Sequence, residues 1–148
     1  MRNILLGLCL GAALGFPLLA FTLDNQPKTI EVQVNIDESL VPDNAGNWPL
    51  YVYAARPNTR MPLSSFKGKF SDLPIKITLD ETMYLLPELT LKDAEEVVVV
   101  AKVSKSLDPH KKSPEDLIGF SEVLSFKGTN SHQIELEIDQ RDKVQAKN

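Results

Sequence analysis

Thiol chemistry is nearly absent from this chain of 148 residues: Cys9 is its only cysteine, and it lies inside the apolar run Ile4–Leu23. Beyond that run the chain can form no disulfide, no thiol–disulfide relay and no thioether to a prosthetic group. Histidine is nearly as scarce, with His110 and His132 alone. Met61 and Met83 are available as soft ligands, but no His-x-His or Met-x-Met spacing brings donors together, so no metal site is expected. Ser64, Ser65, Ser104 and Ser106 have neither a Gly-x-Ser-x-Gly setting nor a nearby histidine to act as base. The acidic pairs Asp80-Glu81 and Glu95-Glu96 are adjacent in sequence, which on a strand points them to opposite faces. They read as solvated strand ends rather than as an acid–base couple. No glycine-rich phosphate loop occurs. The chain is therefore expected to be neither an enzyme nor a cofactor carrier.

Long apolar runs are also lacking after Asp24. The one that exists, following Met1-Arg2-Asn3, has the parts of a secretory signal: one positive residue, an apolar stretch and small residues near its end. Cleavage after Ala20 is the preferred reading. Retention as a membrane anchor is the alternative, since about 20 apolar residues suffice to span a bilayer. Either reading puts residues 24–139 outside the cytoplasm as one domain, with 1–23 as signal or anchor and 140–148 as a polar tail. Removing residues 1–20 leaves 15 basic against 20 acidic residues, a net −5. Such a domain has no electrostatic reason to bind nucleic acid or anionic lipid, so contact with a membrane would run only through an uncleaved N-terminus.

What the domain does contain is period-two patterning. Ile30, Val32, Val34 and Ile36 alternate with Glu31, Gln33 and Asn35. The same rhythm recurs in Leu50–Ala55, Ile75–Leu79 and His132–Ile138, with a further strand candidate over Ile118–Phe126 that Gly119 interrupts. Met61-Pro62-Leu63 reads as extended chain, and Phe66–Phe70 as a short basic segment. Glu96–Ser104 is apolar on both faces at first, as in a central strand covered on two sides. Thr90 caps one helical turn over Leu91–Asp93. Short strands separated by turn signals, without a long helix, specify an all-β antiparallel sandwich of about seven strands preceded by an N-terminal apolar helix. The basic residues Lys102, Lys105, Lys111 and Lys112, with Arg56 and Arg60, are expected at one end of it, either as a solvated rim or as a docking surface carried on loops.

An ordered series of segments carries a resemblance. Leu50-Tyr51-Val52-Tyr53-Ala54-Ala55-Arg56 is followed by Met61-Pro62-Leu63, by Leu73-Pro74 through Thr78-Leu79-Asp80, and by Met83 and Leu86-Pro87. Val97–Ala101, Val103-Ser104-Lys105-Ser106, Asp116-Leu117 and Gly119 complete it. Together, over about Pro49–Gly128, these resemble the C-terminal Ig-like periplasmic domain of the cytochrome c-type biogenesis protein H family (CcmI or CycH). The resemblance implies an Ig-like sandwich and a non-enzymatic periplasmic part in c-type cytochrome maturation. Its partners would be apocytochrome c or the haem-ligation machinery, the haem-lyase complex proteins. Longer members carry two membrane segments and a helical repeat region ahead of this domain, whereas here one apolar segment leads into the strands. The expected partner-binding residues are Arg56, Met61, Leu63, Ser104, Lys105 and Ser106, around a groove or sheet edge between Met61–Leu63 and Val103–Leu107. The alternative is a general periplasmic Ig-like binding or structural module unconnected with haem proteins, and a metal-carrying chaperone is the third class.

Overall fold

The computed structural model describes residues 26–108 and 111–142. The apolar segment with Cys9, the loop residue His110 and most of the C-terminal tail lie outside the described residues.

Among the described residues nine strands form two layers. The smaller sheet has the order β4-β1-β8, from Ile75–Asp80, Thr29–Ile36 and Ser131–Ile138. The larger has the order β3-β2-β5-β6-β9, from Pro62–Lys69, Pro49–Ala55, Glu96–Val103, Leu117–Phe120 and Gln140–Arg141. The short β7, Leu124–Ser125, pairs with the start of β5. The alternation read from sequence is the alternation of burial. Ile30, Val32 and Val34 face Leu50, Val52, Ala54, Val97, Val99, Ala101 and Val103 across the core, all fully buried. Each of the larger side chains stabilises the fold by roughly 1.5–3 kcal/mol on burial. β5 is central, hydrogen-bonded to β2 on one side and to β6 and β7 on the other.

Four expectations change. The sandwich is not antiparallel throughout: β1 and β8 pair in parallel, from Thr29↔Ser131 to Ile36↔Ile138. The extended pieces Met61–Leu63 and Phe66–Phe70 belong largely to one continuous strand, β3. Gly119 does not break a strand but sits inside β6, where β8 crosses so closely that a Cβ would lie 2.0 Å from the Glu137 carbonyl oxygen. The break comes instead at Ser121, which hooks Val99 through its amide, donating to the Val99 carbonyl at 2.8 Å, and its hydroxyl, accepting from the Val99 amide at 2.8 Å. Last, the tail begins as a strand, since Gln140 and Arg141 pair with Ile118 and Leu117.

The strand directions define two ends. At the entry end, Lys28 leads the chain into β1, and its ammonium donates to the carbonyls of Lys92 (2.7 Å) and Ala94 (2.6 Å). The exit end lies where β5 finishes at Val103, opposite Leu50 at the start of β2. Eight extended residues separate the two ends by about 25 Å.

Candidate functional site

The exit end is held by one buried carboxylate. Asp116 is fully buried; its Oδ1 accepts the Lys105 amide at 2.9 Å and its Oδ2 the Ser113 amide at 3.1 Å. Those two amides flank the loop between β5 and β6, so Asp116 closes that loop at its base. Its backbone also accepts the Asp142 amide at 2.7 Å, fastening the C-terminal strand to the same point. Lys102 stands over the group, 2.9 Å from Asp142 and 3.8 Å from Asp116. Lys105 reaches back to Glu115. A second loop, between β1 and β2, faces this one. Asp37 starts its 3-10 turn by accepting from the Ser39 amide (2.9 Å) and hydroxyl (2.8 Å), and these bonds hold the Asp37 carboxyl below its ordinary range. Asn44 turns the chain with φ 63°, a conformation asparagine tolerates. Trp48 is then fixed by its amide to Ala45 (2.9 Å) and by its carbonyl, which accepts from Phe70 (2.8 Å).

Between the loops lies a groove of about 480 Å³, with Trp48, Leu40, Val41 and Leu117 as apolar lining and Lys105 and Arg141 among the charged groups. Glu115 is neutralised there by Lys105, whereas Arg141 has no ion-pair partner among the described residues. A cavity of about 530 Å³ at the entry end is lined by Lys28, Glu81, Phe126 and others. Its groups are engaged with one another: Lys28 sits 5.1 Å over the Phe126 ring, and Glu81 accepts the Lys28 amide. The exit groove is the better candidate for a partner because its aromatic and cationic lining is less committed.

The residues expected from sequence are divided by this geometry. Ser104, Lys105 and Ser106 are at the exit end. Ser104 is buried, with its amide on the Pro49 carbonyl, and the Ser106 hydroxyl accepts from the Asp108 amide. Of the three, only Lys105 lines the groove. Arg56 and Met61 are exposed at the entry end, because Ala55 pairs with Val98 and Pro62. Leu63, only 2 % exposed, belongs to the core. Met61–Leu63 and Val103–Leu107 therefore lie towards opposite ends of β5. The basic residues divide in the same way. Lys102 is spent on Asp142 and Asp116, and Arg56 lies beside Asp93, Glu95 and Glu96. Sequence reasoning missed Trp48, Leu40, Val41 and Arg141. The available signal was a lone tryptophan beside Pro49 at the end of a polar loop, which reads as turn chemistry until a second loop is placed against it.

On the outer face of the larger sheet Tyr53 is flanked by Val100 and Ser65. Burial pushes its phenol above the ordinary range; Lys102 opposes that shift and Asp142 reinforces it.

Among the described residues no three His, Cys, Asp or Glu side chains are grouped to hold a metal, and no helix is long and apolar enough to cross a membrane. No curated protein and no solved structure matches the chain significantly. The family model for the cytochrome c-type biogenesis protein H Ig-like domain matches residues 30–139, which is 110 of the 148. That span runs from the first buried residue of β1 to the residue after β8, and so takes in the smaller sheet and all of the larger except β9, rather than the Pro49–Gly128 segments alone. The chain thus belongs to the cytochrome c-type biogenesis protein H family, through that family's Ig-like domain.

Proposed function

We propose that this protein is a periplasmic, non-enzymatic accessory of c-type cytochrome maturation that works by protein contact through the exit-end groove. Family membership links it to c-type cytochrome biogenesis. The observation that carries the finer reading is the pair of loops around Trp48 and Lys105, one capped by Asp37 and the other closed by Asp116. Loops fixed on a rigid sheet are a common way to present a recognition surface. A groove combining an aromatic ring, aliphatic side chains and a guanidinium with no ion-pair partner among the described residues suits a segment of polypeptide, such as apocytochrome c or a subunit of the haem-ligation machinery. The carboxylate beside the groove supports a binding role over a chemical one, since both oxygens of Asp116 are engaged by loop amides.

The test is a deletion strain stained for covalently bound haem, complemented with wild type or with Trp48→Ala/Lys105→Glu. Loss of c-type cytochromes, restored by wild type and not by the folded double variant, is the expected result. Normal cytochrome levels in the deletion strain, with no apocytochrome c recovered by the purified protein, would leave the general Ig-like binding module as the surviving reading.

A further inference from the structure

The entry end carries an unusual run of side chains. Tyr84, Leu85 and Leu86 are consecutive and 45 %, 61 % and 42 % exposed, in the loop between β4 and β5. Met61, 48 % exposed, precedes β3 at the same end, and Val123, 54 % exposed, precedes β7 there. Three adjacent large apolar residues left in water oppose folding and solubility unless something covers them. The loop is not loose. Met83 accepts the Ser65 amide at 2.8 Å, Leu89 donates to Leu86 at 3.0 Å, and Asp80 receives both the amide and the hydroxyl of Thr82. The tip is thus presented on a braced turn.

What covers it is indicated by the way the chain arrives. The apolar run ends at Leu23, and Lys28 is already fixed to this end through Lys92, Ala94 and Glu81. Only Asp24–Pro27 connect them, a reach of at most about 18 Å from Leu23 to Lys28. With the apolar run retained as an anchor, the alternative to cleavage after Ala20 on which this inference rests, a bilayer holding Ile4–Leu23 would have the Tyr84–Leu86 turn at its surface. Tyrosine and leucine suit that depth, with an apolar body for the acyl boundary and a phenol for the headgroups. Charge does not drive the contact: Glu81, Asp93, Glu95 and Glu96 offset Arg56, Arg60 and Lys92 around the same end.

We propose that Met61 and the turn Tyr84-Leu85-Leu86 form a membrane-docking surface, which inserts shallowly into a phospholipid bilayer beside the N-terminal apolar segment and turns the Trp48 groove away from it. The contact is apolar, so it forms on zwitterionic lipid and persists in high salt.

The experiment uses the full chain with Cys9→Ser, reconstituted in phosphatidylcholine vesicles. An environment-sensitive fluorophore is attached at Leu85→Cys or, as the far-end control, at Leu107→Cys. A blue shift at position 85, with quenching by spin-labelled lipid, and an aqueous spectrum at position 107 are expected. In a chain carrying Tyr84→Ser and Leu86→Asp, the probe at 85 should return to an aqueous spectrum while the protein still sediments with the vesicles. Equal aqueous spectra at both positions overturn the proposal, as does a chain that does not associate with vesicles. A shift that follows protein concentration rather than lipid quencher also overturns it and identifies the patch as a contact between copies. None of these readouts depends on cytochrome maturation.

Discussion

The amide of Lys105 meets the fully buried carboxylate of Asp116 at 2.9 Å, and the second carboxylate oxygen takes the Ser113 amide. Asp116→Ala removes the acceptor for both amides and leaves Lys102 with Asp142 alone. A loss of about 1–3 kcal/mol is expected from the two part-buried amides that lose their acceptor and from the broken charge contact. Asp116→Asn keeps one acceptor oxygen and should lose roughly half as much. Urea unfolding measures both, and limited proteolysis should show cleavage between Lys105 and Ser113 rising in the alanine variant first. Equal stability of wild type and Asp116→Ala would show that the carboxylate does not hold the loop.

Gly119→Ala tests the crossing of β6 over β8. The new methyl would sit 2.0 Å from the Glu137 carbonyl oxygen, a backbone atom that cannot rotate away. The two strands must separate, at a cost of about 3 kcal/mol or more. The denaturant midpoint should fall sharply with little change in slope. A midpoint within error of wild type would mean the sheets can part there freely.

Neighbouring valines on β5 provide a test of side. Val99 is fully buried between the sheets, whereas Val98 is half-buried on the outer face. Val99→Asp places a charge in the core and should abolish cooperative unfolding, a loss above about 4 kcal/mol. Val98→Thr should cost less than about 1 kcal/mol. Circular dichroism melts distinguish them, and a cooperative Val99→Asp melt would show that β5 is not central.

Tyr53 gives a pH dependence. Its folded-state pKa is raised above the ordinary tyrosine value of 10.0, chiefly by burial. Below the unfolded pKa both states hold the phenolic proton and the contribution is fully present. As pH rises towards and through the folded pKa, the unfolded chain ionises first and the contribution is lost. Stability should therefore decline on the alkaline side, less steeply in Tyr53→Phe. Lys102→Met removes the cation that opposes the shift, so the Tyr53 phenol should titrate higher still in a near-ultraviolet absorbance titration. A lower titration point in Lys102→Met would contradict the assigned cause.

The strands were legible because burial on one face writes itself as alternation. Thr29–Ile36, Glu96–Val103 and Ser131–Ile138 can be read directly, and so can the Thr90 cap. Gly119 was misread since a glycine demanded by a crossing strand looks the same as one that ends a strand. The Trp48 groove was invisible for a related reason. Its two walls are loops about sixty residues apart whose opposition depends on sheet order, and period-two patterning carries no information on which strands become neighbours. Asp116 offered a partial signal, an aspartate directly before an apolar run, but its partner amides belong to a loop whose closure only the fold reveals.

The parallel pairing of β1 with β8 joins residues 102 positions apart, as in Glu31 and Gln133. A chain emerging from a ribosome or a translocation pore holds its first strand without that neighbour until nearly the whole domain has followed. Loop closure over such a separation is slow relative to a local hairpin. Domain completion is thus a late event, set by delivery of the C-terminal strand. A fragment ending before Ser131 should remain open along one side of β1, exposed to proteases and to wrong strand partners.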